Sequence, residues 1–165
     1  MIRAIFLDVD GTLISFSTHE IPASARRALT QAHERGVRLF IATGRAANDL
    51  GPLEGIPYDG VVSLNGARCV ANDGRVVSLH PIPRADFERA LALSEEQDFA
   101  MGLELEEGVF VNRVTPDVER VAHMVAHPVP KQTDLRELFG RVECCQLCFY
   151  FDAETQRRVM AELPT

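Results

Sequence analysis

The stretch Ile5-Phe6-Leu7-Asp8-Val9-Asp10-Gly11-Thr12-Leu13 decides how this chain is read. An apolar run of strand length, residues 2 to 7, ends in two carboxylates two positions apart, with a glycine and a hydroxyl directly after. Side chains i and i+2 of a strand share one face, so Asp8 and Asp10 would crowd together if the strand simply continued. Two anions so placed call for a cation or a shared proton. Because a buried ion without a partner is costly, chemistry explains the pair better than packing does.

Outward from this stretch, Ile21-Pro22 leads into residues 23 to 35, where Ala25, Leu29 and Ala32 recur at helical spacing and Gly36 stands where a helix ends. Residues 37 to 42 form the next apolar run, followed by Thr43-Gly44-Arg45. Strand, helix, strand is a βαβ unit with a right-handed crossover, which brings both strand C-termini to the edge where ligands bind in such sheets. The polar clusters at 8–12 and 43–45 are therefore expected to converge. Residues 46 to 53 suit a short helix, and 60 to 64 a third strand ending in Asn65-Gly66-Ala67.

After the third strand the rhythm changes. Residues 68 to 70 and 75 to 79 flank Asn72-Asp73-Gly74, a hairpin signal, and Pro81 and Pro83 mark a linker. Beyond it the pattern predicts a helix over 84–98, strands over 99–105 and 109–112 around Glu106-Glu107-Gly108, and a helix over 115–126. A short helix over 135–139, a strand over 142–151 and a helix from 153 to 163 complete the pattern. Residues 1–83 thus read as a parallel α/β core portion and 84–165 as an appended α+β layer.

With 165 residues, 46% hydrophobic and 25% charged, the chain can build one well-cored domain or one domain and part of another. A net charge of -7 argues against general nucleic-acid or anionic-membrane binding and leaves small anionic substrates open. Neither a membrane span nor a signal peptide is evident, so a cytoplasmic location is the default expectation. The pair Cys145-x-x-Cys148 lacks a second Cys/His pair at ligand spacing and falls in an expected buried strand, so Cys69, Cys144, Cys145 and Cys148 read as core residues. His19, His33, His80, His123 and His127 show no metal-ligand pattern.

The chemistry the residues suggest is phosphoryl transfer. An aspartate at a strand end can act as a covalent nucleophile, which is the role expected of Asp8. A phosphate dianion is repelled by a bare carboxylate, and Mg2+, which accepts one or two carboxylates plus water and substrate oxygens, relieves that repulsion. Asp10, brought round by a turn at Gly11, could give a proton to the leaving alkoxide and take one from water. Backbone N–H groups around residues 9 to 12 and the Thr12 hydroxyl serve either the loop or the phosphoryl group. Thr43 brings a hydroxyl to the second strand end, Gly44 frees backbone N–H for phosphate, and Asn65 could reach the same edge. Arg45 either contacts phosphate or faces solvent, and Glu104, Glu106 and Glu107 are most simply a solvated hairpin.

Asp8-Val9-Asp10-Gly11-Thr12-Leu13 resembles the first motif of the haloacid dehalogenase superfamily, and Ile41-Ala42-Thr43-Gly44-Arg45 its second. Leu64-Asn65-Gly66-Ala67 is similar to the "NGA" segment of the Cof-type sugar-phosphatase branch, which carries a type IIB cap. The resemblance implies a three-layer Rossmann-like α/β core, its parallel sheet incomplete here, with an inserted α+β cap over 84–165. It also implies Asp8 as nucleophile, Asp10 as acid/base with its backbone carbonyl on Mg2+, and Thr43 as phosphate ligand. The substrate class it implies is a small phosphorylated metabolite, hydrolysed through an aspartyl-phosphate intermediate.

The family's third motif supplies a lysine and its fourth an acidic segment, both after the cap, and neither occurs in these 165 residues. Lys131 reads as a solvated surface lysine in a proline-flanked loop. The expectation is therefore an N-terminal portion of a Cof-type phosphatase, with little activity alone and a tendency to self-associate through its incomplete core. The competing reading is an inactive phospho-ligand binding module of the same fold.

Overall fold

A computed structural model describes residues 2–162 other than 16, 19 and 126. His19 and the expected helix ends at 126 and 163 lie outside the described residues. The chain divides into two compact units, Met1–His80 and Pro81–Thr165.

In the first unit, strand β1 (Ala4–Leu7) leads through helix α1 (Ala23–Glu34) to β2 (Arg38–Ala42) and β3 (Gly60–Ser63). β1 pairs parallel with β2, Ile5 opposite Leu39 and Leu7 opposite Ile41, and β2 pairs parallel with β3, Ile41 opposite Val61. Alternation puts Ile5, Leu7, Leu39, Ile41 and Val61 on one face, where they pack with Leu29 and Ala25 of α1. That burial sets the register, because a one-residue slip would turn the whole apolar set outward. The expected hairpin forms as β4 (Arg68–Ala71), antiparallel to β3, and β5 (Val76–Leu79), antiparallel to β4, giving the order β1-β2-β3-β4-β5.

The helix expected over 46–53 does not form. Only a 3-10 turn at Gly51–Leu53 is present. Pro52 has no N–H to donate and disfavours a helical residue before it, and the Asp49 carbonyl accepts a hydrogen bond from Arg45 Nη1 at 3.2 Å rather than from a following helical turn.

The second unit is α+β: α2 (Arg84–Glu96), β6 (Ala100–Leu105), β7 (Gly108–Val111), α3 (Pro116–Met124), β8 (Lys131–Gln132), α4 (Leu135–Phe139), β9 (Gln146–Tyr150) and α5 (Ala153–Glu162). Its sheet runs β8-β7-β6-β9. Met101, Leu103 and Leu105 of β6 meet Phe87 and Leu91 of α2 and Leu135 of α4, while Ala100, Val111 and Tyr150 meet Val118 of α3 on the other face. Two local expectations change here. β9 begins at Gln146 rather than at 142, because the Cys144 carbonyl accepts from the Ile82 N–H at 2.8 Å and the neighbouring strand ends its pairing at Glu104 opposite Gln146. Lys131 is exposed as expected, but in β8 beside Phe110 rather than in a loop.

Glu104 also departs from the solvated hairpin. It is half-buried and accepts hydrogen bonds from Gln146 Nε2 and Cys148 Sγ across the β6–β9 pair, whereas Glu106 and Glu107 at the turn are exposed. Burial, followed by the charge of Glu104, pushes the Cys148 thiol up to about 12, and burial raises Cys144 as well. Among the described residues no helix is long and apolar enough to cross a membrane.

Candidate active site

The parallel arrangement of β1, β2 and β3 brings their C-terminal ends to one edge of the first sheet. Each strand hands over there to a short polar segment. After β1 the chain closes a tight loop: Leu13 and Ile14 N–H both donate to the Val9 carbonyl, at 3.0 and 2.8 Å, and Gly11 N–H donates to the Ile14 carbonyl at 2.8 Å. Gly11 sits at φ 79, a conformation that is cheap only without a Cβ. Val9, Leu13 and Ile14 are buried by the loop while Asp8 and Asp10 remain exposed. The Gly11 N–H is thus committed to the loop itself and not to a ligand.

Thr12 Oγ1 donates to Asp8 Oδ2 at 3.0 Å, fixing one oxygen of the first carboxylate. The second carboxylate has a different partner. Arg45 Nε donates to Asp10 Oδ2 and Arg45 Nη2 to Asp10 Oδ1, both at 2.8 Å, a two-pronged pairing across 35 positions of sequence. The hydrogen bond to Asp10 holds the Arg45 guanidinium pKa above its ordinary value, against the opposing effect of burial. With Arg45 22% and Asp10 43% exposed, a partly open pair of this kind adds at most about 1 kcal/mol to stability. Its effect is therefore on orientation, which a forked guanidinium imposes on a planar carboxylate.

At the end of β2, Thr43 is buried, its N–H donating to the Val62 carbonyl at 2.8 Å and its Oγ1 accepting from Arg45 N–H at 3.1 Å. At the end of β3, Asn65 takes φ 54 and donates its N–H to the Thr43 carbonyl at 3.2 Å; asparagine tolerates this left-handed conformation better than most residues. A Cβ on Gly44 would stand 3.2 Å from Asn65 Oδ1 and 3.3 Å from Nδ2, so glycine lets the amide lie against the backbone. The structure thus places Asp8, Asp10, Gly11, Thr43, Gly44, Arg45 and Asn65 at or beside one sheet edge, with direct bonds joining Asp10 to Arg45 and Thr43 to both Arg45 and Asn65.

One residue of this group was not singled out from sequence. Asp49 accepts from Arg45 Nη1 through Oδ2 at 3.3 Å, as well as through its carbonyl. The i, i+4 spacing of Arg45 and Asp49 is the signal that could have found it.

The donor chemistry at the edge fits magnesium. The Asp8 carboxylate and the main-chain carbonyl of Asp10, from one loop, are hard oxygen donors of the kind Mg2+ takes while keeping water and substrate oxygens. Among the described residues no three His, Cys, Asp or Glu side chains assemble into a closed cage.

An α/β sheet edge with an aspartate pair after the first strand, a threonine after the second and an asparagine after the third defines a hydrolase of the haloacid dehalogenase class. The family model for haloacid dehalogenase-like hydrolases matches residues 5–165, and the chain belongs to that family. Among solved structures it is similar to BT1666 from Bacteroides thetaiotaomicron, a phosphatase of the superfamily, with 54% identity and a TM-score of 0.91 over 98% of this chain and 60% of that one. It is also similar to BT4131, a subclass IIB sugar phosphatase, with 28% identity and a TM-score of 0.83 over 99% of this chain and 64% of that one. YkrA of Bacillus subtilis strain 168 is 30% identical over 95 residues, 57% of this chain and 36% of YkrA. The chain therefore spans less than two thirds of the length of each of these relatives.

Proposed function

We propose that this chain carries the nucleophile-bearing part of a Mg2+-dependent phosphatase for small phosphate monoesters, with sugar phosphates as the substrate class. The observation that carries the reading is the convergence at one sheet edge of Asp8, fixed by Thr12, with Asp10 and Thr43, which are joined through Arg45. Family membership and the likeness to BT1666 and BT4131 support the reaction class. On this reading residues 84–165 act as a cap domain and 1–83 as part of the core.

In the first half-reaction an Asp8 carboxylate oxygen attacks phosphorus. A bond forms from Asp8 to phosphorus, the phosphorus–ester oxygen bond breaks, and Asp10 gives its proton to the departing alkoxide. In the second, water attacks the phosphorus of the aspartyl phosphate, its proton passes to Asp10, and the bond to Asp8 breaks to release inorganic phosphate. Thr43, Gly44 and Asn65 are the groups proposed to meet the phosphoryl oxygens. Gly11 shapes the loop that presents both carboxylates, and Arg45 stands beside them holding Asp10. Asp8 and Asp10 would hold Mg2+, which when bound neutralises charge between carboxylate and phosphate.

The test is Asp8→Asn together with acid quenching of the wild-type protein during turnover of a hexose phosphate. Intact-mass detection of one added phosphoryl group, absent in the variant, is the expected result. Phosphate binding with no turnover and no adduct would favour the inactive binding module instead.

A further inference from the structure

We propose that Asp49 is a positioning residue that acts through Arg45 to aim the Asp10 carboxylate. This rests on the reading of Asp10 as the proton-transfer group. Arg45 commits Nε and Nη2 to the two oxygens of Asp10 at 2.8 Å each, and Nη1 to Asp49 through both its Oδ2 (3.3 Å) and its carbonyl (3.2 Å). Three nitrogens of one rigid planar group are thus spent on two aspartates. Because the guanidinium cannot bend, holding Nη1 restricts the directions in which Nε and Nη2 can point.

Among the described residues the guanidinium bonds to Asp10 and Asp49, and Asp49 is the partner on its Nη1 side. The backbone of Arg45 is held separately, its N–H on Thr43 Oγ1 at 3.1 Å and its carbonyl accepting from Leu64 N–H at 3.1 Å. Those bonds place the Cα, while the long side chain between Cα and guanidinium needs an anchor at its far end. Asp49 provides it from the segment that follows Arg45 in place of the expected helix, where a carbonyl that a helix would have used internally is turned back to Arg45. A phosphate ligand role for Arg45 would require it to leave Asp10, whereas a positioning role keeps it beside Asp10 and Asp49.

The consequence is specific to proton transfer. An aryl phosphate has a good leaving group and needs little help from an acid in the first half-reaction, whereas an alkyl phosphate needs it in both directions. Mis-aiming Asp10 should therefore spare release of the aryloxide as Asp8 is phosphorylated and slow hydrolysis of the aspartyl phosphate. The experiment compares wild type, Asp49→Ala and Asp49→Asn on p-nitrophenyl phosphate and on a hexose phosphate. In Asp49→Ala we expect a burst of nitrophenol followed by a slow steady state, and hexose phosphate turnover lowered about tenfold, the loss of one partly exposed charge-assisted bond. Asp49→Asn keeps an acceptor oxygen and should restore most of the rate. Equal losses on both substrates with no burst would overturn the proposal.

A second readout does not depend on turnover. In wild type the Arg45 Nε–H should exchange slowly with solvent by 15N-resolved NMR, and Asp49→Ala should speed that exchange several-fold while leaving the buried Leu39 and Ile41 amides unchanged. Unchanged Arg45 exchange would refute the anchor whether or not the chain hydrolyses phosphate esters. Slow exchange in wild type that Asp49→Ala speeds would keep the anchor even where neither ester turns over, and absence of a phosphoryl adduct on Asp8 would then count against the phosphatase reading alone.

Discussion

At the residue scale the two aspartates differ in who holds them. Asp8 accepts a hydrogen bond from the neutral Thr12 hydroxyl, while Asp10 is gripped by a cation. Thr12→Val removes the hydroxyl at nearly constant shape. Because the bond is exposed it is worth about 0.5–1.5 kcal/mol, so the proposed turnover should fall roughly 2- to 10-fold with the melting temperature scarcely moved, as steady-state kinetics and a thermal melt would show. The carboxylate pair was legible from sequence because its meaning is local: residue types, a two-residue spacing and a glycine. The Asp10–Arg45 contact was not, since nothing in Thr43-Gly44-Arg45 alone separates a phosphate-facing arginine from one turned to a neighbouring carboxylate.

At the scale of elements, β1, α1 and β2 match their sequence periodicity because each buries a continuous apolar stripe against the others. The segment after Arg45 does not, because Pro52 and the Arg45–Asp49 contact outweigh a weak helical pattern. β9 likewise shortens to the length its partner β6 can pair. On that strand Cys148 carries the clearest pH signature of the second unit. Its pKa rises from 9.0 to about 12 on folding, chiefly by burial, and burial moves Tyr150 upward too. A group whose folded value lies above its unfolded one holds its proton more tightly when folded, so its stabilisation is complete below about pH 9 and is lost as pH climbs toward about 12. Urea midpoints measured across that range should fall, and Cys148→Ala should flatten the fall.

At the scale of the whole molecule, the two units use their sheets differently. The first carries parallel strands, which are ordinarily covered on both faces, yet Phe6 on the face away from α1 is 62% exposed and stacks on Phe40 with ring centroids 4.9 Å apart. Association through that face is the expected outcome for this chain in isolation. Sedimentation should show a concentration-dependent rise in mass for wild type and less of it for Phe6→Glu, which places a charge on the face without touching the buried side of the sheet.

The sequence by itself determined the α/β class, the order of the first strands and the identity of the aspartate pair. Strand and helix periodicity, turn glycines and a strand-end carboxylate pair are all encoded within a few neighbouring positions, so they survive being read one segment at a time. Only the tertiary structure decided that Arg45 reaches across 35 positions to Asp10, that Asp49 anchors it, and that Glu104 turns inward to Gln146 and Cys148. Those pairings depend on strand register and on which way a long side chain leaves the backbone, and both are fixed only when the sheet assembles and burial makes one register cheaper than its alternatives.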